Sequence, residues 1–212
     1  MPLSRARTAR ACTYRTDDNP TALGAINDGK DEGVIYNQHV GCFTPAPGGK
    51  QGFIWFNNQV VNPVKMDNGK VSSVEQTNWL KGEMTGPVGV IINGESVFME
   101  GAYKLDGKNH RCIFEYKLDG TLVRKYGEKN EKESGGLRSP SGWTATKDYV
   151  IIYDGGNQLL DLYKRADGAF VGAVKSSDLG LTVSIENMTF IGENLVLIYG
   201  HNDASQLALL QI

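Results

Sequence analysis

The sequence predicts an all-β fold of repeated four-stranded sheets, on three observations. Residues 140–155, PSGWTATKDYVIIYDG, align without gaps on residues 185–200, IENMTFIGENLVLIYG. An earlier segment, PVGVIINGESVFMEG at 87–101, shares Pro-x-Gly, an apolar strand, a polar turn and a second apolar strand. Downstream of these pairs, FEYKLDGTLVRKYG (114–127) and LYKRADGAFVGAV (162–174) both set Asp-Gly between apolar runs. A unit of about 40 to 50 residues holding four short strands is the pattern of a β-propeller, whose sheets stack face to face because none buries its faces alone. A β-sandwich also has many short strands but does not explain copies recurring at this spacing.

Taken in order, residues 1–16 form a basic segment with Arg5, Arg7, Arg10 and Arg15 and no acid, and 17–212 form the propeller domain. Residues 1–39 match the repeat poorly. FIWF (53–56) reads as the second strand of another copy, and VKMDNGKV (64–71) as its third strand, turn and fourth. Residues 102–111, AYKLDGKNHR, read as a long loop between second and third strands. Asp119-Gly120 and Asp167-Gly168 are expected as two-residue hairpins that need positive φ. The mixed-charge stretch GEKNEKESGGLRS (127–139) lacks an apolar period and reads as a solvated connection between sheets. The last unit ends at Ile212 with three strands, leaving an open edge. ACTYRT (11–16) is the segment expected to pair there as the closing strand, since an unpaired edge invites association. Four or five blades are expected, or an incomplete ring.

Composition narrows the function classes. Lys+Arg 22 against Asp+Glu 24 leaves a net charge of −2, so there is no field to draw in nucleic acid or an anionic membrane. No apolar run reaches the roughly 20 residues needed to cross a bilayer as a helix. The start of the chain lacks the apolar core of a secretory signal; its Arg-rich, acid-free character has a weak likeness to a transit peptide, and the compartment stays open. Cys12, Cys42 and Cys112 are too few and too scattered for a disulfide framework or a zinc motif. No phosphate loop, nucleophile elbow or HExxH pattern occurs.

The Pro-x-Gly strand, the VIIYDGGNQLLDLY body and the Asp-Gly hairpin followed by LVRKYG resemble the NHL-repeat propeller family, best across residues 87–175. The resemblance implies a rigid ring whose first strands line a channel and whose second-to-third-strand loops open on one face. Those loops bring forward His110, Asp154, Asn157, His201 and Asp203. Glu186 starts the last inner strand and is placed at the channel mouth, and Trp79 stands in a polar stretch as a candidate exposed aromatic. Trp55 and Trp143 lie in apolar strands and read as core. The turn residues Asp154 and Asn157 read first as turn chemistry. Two function classes follow. One is a non-enzymatic binding or scaffold module, without cofactor, for a protein, peptide or carbohydrate at the loop face, oligomeric if the ring is incomplete. The alternative is a metal-dependent hydrolase or lyase resembling gluconolactonases, with a divalent ion held by Asp154, His201 and Asp203.

Overall fold

The computed structural model describes residues 11–14, 22–26, 40–46, 48–56, 60–67, 70–74, 80, 84–129, 131–192, 195–202 and 205–212. Strands β1 (Ala11–Tyr14) and β2 (Ala22–Ile26) pair with each other. Then come β3 (Val40–Pro45), β4 (Gln51–Phe56), β5 (Val60–Asp67) and β6 (Lys70–Val74), forming one sheet in chain order. The next sheet is β7 (Thr85–Asn93), β8 (Ser96–Leu105), β9 (Lys108–Lys117) and β10 (Leu122–Tyr126). It is followed by β11 (Pro140–Ala145), β12 (Tyr149–Asp154), β13 (Leu159–Lys164) and β14 (Phe170–Lys175). A short 3-10 turn, Ser176–Leu179, leads to a three-stranded sheet of β15 (Ile185–Gly192), β16 (Leu195–His201) and β17 (Ser205–Gln211). Every pairing is antiparallel between neighbours in sequence. The repeat copies thus coincide with whole sheets, and the three-stranded final unit is as expected.

Period-2 alternation explains why the sheets stack. On β8 and β9, Val97, Met99, Tyr103, Cys112, Phe114 and Tyr116 join a cluster with Phe53 of β4. Their neighbours Phe98 and Ile113 point the other way, into a cluster with Trp143, Val150, Ile152 and Tyr163 of the following sheet. On β12, Ile151 and Tyr153 leave that cluster and pack with Ile185, Met188, Val196 and Ile198 of the last sheet. Both faces of the two central sheets are therefore apolar, and each fully buried large side chain contributes about 1.5–3 kcal/mol through removal from water.

A buried ionic clasp joins the second and third sheets. Glu115 accepts hydrogen bonds from Ser96 Oγ (2.7 Å) and Tyr126 Oη (2.5 Å), and pairs with Arg165 Nε at 3.3 Å. Arg165 Nη1 donates to Asn93 Oδ1 and to the Thr146 carbonyl, both at 3.0 Å, and Nη2 to the Asn93 carbonyl at 3.1 Å. Its guanidinium lies 5.1 Å from the centre of the Phe98 ring. Asn93 Nδ2 completes the crossing by donating to the Ala145 carbonyl at 2.6 Å. Burial raises the Tyr126 phenol above its ordinary range, and its bond to Glu115 adds to the shift, so it stays a donor.

Four expectations are corrected. ACTYRT does not complete the last sheet: Ala11–Tyr14 pairs with β2, its neighbour in sequence, and pairing between segments so near in the chain costs little closure entropy. The stretch 102–111 is not a loop, because β8 and β9 run almost into each other and turn on Asp106-Gly107, with φ of 50° and 76°. That is the two-residue turn expected instead at Asp119-Gly120 and Asp167-Gly168. At those two sites only the glycine is left-handed, with φ of 82° and 77°. The aspartates act as local acceptors, Asp119 Oδ1 for Thr121 N–H and Asp167 Oδ1 for Ala169 N–H, each at 2.9 Å. The connection at 127–139 is solvated at 128, 129 and 131–134, but Gly135, Gly136 and Leu137 are buried, and Leu137 packs beside Tyr163.

The clasp yields the first prediction. Glu115→Gln keeps the shape but leaves the half-buried Arg165 and Arg124 without their shared counter-charge, and should lower unfolding free energy by about 2 kcal/mol in urea titration. A loss within about 0.5 kcal/mol, the usual range for surface changes, would show that the clasp carries no net stability.

Candidate functional site

The DGGN turn after β12 is built around one carboxylate. Asp154 is fully buried. Its Oδ1 accepts from the backbone N–H of Ser139 (2.7 Å) and Gly156 (3.1 Å), and its Oδ2 from Arg138 N–H (2.9 Å) and Asn157 Nδ2 (2.7 Å). This ties the end of the 127–139 connection to the β12–β13 hairpin. The left-handed residue of the turn is Gln158, at φ 57°, rather than Asp154 or Asn157. Asn157 is exposed, with its amide donated to Asp154. Across the sheet, Asp161 is 3% exposed, and burial pushes its carboxyl up to about 7, with the nearby Asp154 charge adding to the shift.

The other residues singled out from sequence are distributed as follows. His110 lies on β9, half-buried, with its ring 6.0 Å from that of Tyr103 in the same hairpin. His201 ends β16, exposed, with Nδ1 3.1 Å from Ser205 Oγ. His110, Asp154 and His201 occupy the same end of three successive sheets, at the turn between second and third strands. Each histidine's described side-chain partner belongs to its own hairpin. Asp203 and Trp79 lie outside the described residues. Trp143 is core, at 8% exposure.

Glu186 leads to a different place, a cavity of about 240 Å³ where first strands meet. Its lining is ordered by the repeat. The register of each first strand slips near its start: between Val40 and Cys42, between Thr85 and Val88 and again between Val88 and Ile91, between Pro140 and Gly142, and between Ile185 and Asn187. Such bulges place two residues against one and re-aim side chains. The dipeptides at the slips of β7, β11 and β15, Val88-Gly89, Ser141-Gly142 and Glu186-Asn187, all line the cavity. Val90, Ile91, Trp143 and Glu100 complete the wall. Thus the positions after proline in Pro-x-Gly are the cavity positions. Aligned columns of the repeat contain this signal, but reading it requires knowing that the strand bulges there.

The cavity has a defined polarity. Glu100 is buried on β8 and ion-paired with Arg111. Burial raises its carboxyl, and the Arg111 charge and hydrogen bond lower it in part. Ser141 Oγ donates to the Ile185 carbonyl at 3.3 Å, which leaves its lone pairs as acceptors. Trp143 Nε1 is buried and has no hydrogen-bond partner among the described residues. Glu186 and Asn187 are exposed at the mouth.

The donor set at Asp154 does not suit a metal ion. Both of its oxygens are engaged by four N–H donors, so binding a cation would cost the bonds that hold the loop. Of the proposed companions, His201 has no interaction with it among the described residues, and Asp203 lies outside them.

No family model and no curated protein matches the sequence. Among solved structures the chain is similar to that of U3-55K, a propeller-like protein, with a TM-score of 0.59 at 10% identity. The match covers 84% of this chain and 50% of that one, so the chain spans about half of its length. At this identity the likeness bears on the fold alone. No helix among the described residues is long and apolar enough to cross a membrane.

Two predictions follow from the carboxylates. Asp154→Ala strands three backbone N–H groups and should cost about 3 kcal/mol of stability, whereas Asn157→Ala should cost about 1 kcal/mol. Calorimetry that found the two equal would overturn the central role of Asp154. For Asp161, the folded state holds a proton that the unfolded chain has lost between about pH 4 and 7, so stability falls as pH rises across that window. Asp161→Asn should remove the slope and gain on the order of 4 kcal/mol over wild type at pH 8 relative to pH 4. Parallel pH profiles of the two proteins would contradict the assignment.

Proposed function

We propose that this chain is a non-enzymatic binding and scaffold module of the propeller type, which takes a partner where its first strands meet. The observation that supports this reading best is the cavity. Three successive repeats each contribute the dipeptide at their register slip to it, so a rigid frame presents polar and apolar groups at one point. The four successive sheets from β3 to β17 are read as blades, in keeping with the NHL-like pattern of residues 87–175. The partner is a protein, peptide or carbohydrate, and the likeness to U3-55K supports a propeller frame for it. On β17, Leu207 and Leu209 are 70% and 63% exposed, an apolar face that supports a docking role for this sheet.

The metal-dependent hydrolase or lyase alternative loses Asp154 to the loop it holds and would have to rest on His201 and Asp203. A thermal-shift series separates the two readings. The binding module predicts a melting temperature unchanged by millimolar calcium, zinc or manganese. A rise that vanishes in both His201→Ala and Asp203→Ala would favour the metal enzyme and overturn the proposal.

A further inference from the structure

The cavity between the bulged dipeptides contains groups that narrow what can occupy it. Trp143 Nε1 is a donor without a partner among the described residues, in a side chain more than nine-tenths buried. A buried donor left unsatisfied costs free energy that a ligand acceptor would recover. The indole is turned toward Gly89: Cη2 and Cζ2 lie 2.9 and 3.0 Å from where a β-carbon there would stand. Cζ2 borders the same edge of the ring as Nε1, and both Gly89 and Trp143 line the cavity. The same lining contains acceptors, the Glu186 carboxylate and the lone pairs of Ser141 Oγ, with the Asn187 amide able to act in either sense.

Charge and size decide between ligand classes. An anion would meet Glu186 at the mouth and Glu100 in the wall. A cation would leave the indole N–H without an acceptor, and the Glu100 charge is already matched by Arg111. A neutral group that both donates and accepts suits every element of the lining, and a hydroxyl does both at one atom. The volume of about 240 Å³ falls below the roughly 300–1,000 Å³ of pockets for drug-sized ligands, so a single ring is the largest occupant. Val88, Val90 and Ile91 offer an apolar wall for the C–H face of such a ring.

We propose that this cavity binds one sugar ring or a cyclic polyol, with Trp143 Nε1 donating to a hydroxyl oxygen and Glu186 accepting from a neighbouring hydroxyl. The inference rests on the binding reading above and names the ligand of that same site. Hydroxyl groups held in this way are seated by direct hydrogen bonds, and no chemical step on the ligand is implied.

The test uses the full chain labelled with nitrogen-15. The indole N–H signal of Trp143, assigned by its loss in Trp143→Phe, is followed during titration with D-glucose, D-mannose, D-galactose, N-acetyl-D-glucosamine and myo-inositol. The expected result is a saturable shift with at least one of the five in the millimolar range. Glu186→Gln, an exposed and isosteric change, should weaken that binding about tenfold, equivalent to one charge-assisted hydrogen bond. Gly142→Ala, whose β-carbon would meet only ordinary contacts of 3.7–3.8 Å, should weaken it by narrowing the cavity while the fold is kept. A parallel titration uses L-argininamide and the tripeptide Gly-Asn-Gly. Shifts from these alone would overturn the sugar assignment and leave the binding reading standing. A Trp143 signal that moves with neither set would remove both.

Discussion

The structure depends on one constraint: a sheet that is apolar on both faces must be covered on both. In β7–β10 and β11–β14, odd and even positions of the same strand enter different clusters. Phe98 and Met99 are neighbours in sequence, yet one packs toward the third sheet and the other toward the first. A single such sheet in water would leave half of its large side chains wet. Stacking of successive repeats is therefore the condition for any of them to fold, and the chain order of the sheets follows from it.

Stacking by apolar area alone does not set how one sheet is rotated on the next. The Glu115–Arg165 clasp supplies that direction. Arg165 reaches from the β13–β14 turn across to Asn93 at the end of β7, and Glu115 lies between it and Tyr126. Planar guanidinium donors accept few alternative geometries, so a rotation that leaves hydrophobic burial intact would still break these bonds. The same logic holds at the opposite end of β12, where Asp154 gathers the incoming 135–139 segment by backbone N–H groups. Together the two carboxylates fix the frame in which the first strands of three repeats meet at one cavity.

This frame shifts weight within the set of candidate residues. Asp154 and Asn157 are chiefly architectural, since their bonds are made to each other and to the backbone. His110 and His201 stand at corresponding hairpin ends without a described link between them. Glu186 gains, because a bulge sets it and Asn187 side by side at the mouth of a space that also contains an unsatisfied indole N–H. Trp143 is core, as its apolar strand suggested, and at the same time part of the cavity wall.

The sequence by itself determined the all-β class, the four-strand repeat, the three strands of the last unit and the turn character of DGGN. These follow from local chemistry: side-chain alternation, strand-length apolar runs, and the small set of residues that tolerate tight turns. Only the tertiary structure decided which Asp-Gly pair makes the two-residue turn, because that depends on the register of the flanking strands. It also placed Ala11–Tyr14 in a local hairpin, buried Leu137 within an otherwise polar connection, and paired Arg165 with Glu115 fifty residues away. The cavity belongs to this second group for the same reason. Val88, Ser141 and Glu186 are unremarkable in their own strands, and acquire a common role because three bulges bring separate repeats to a single point.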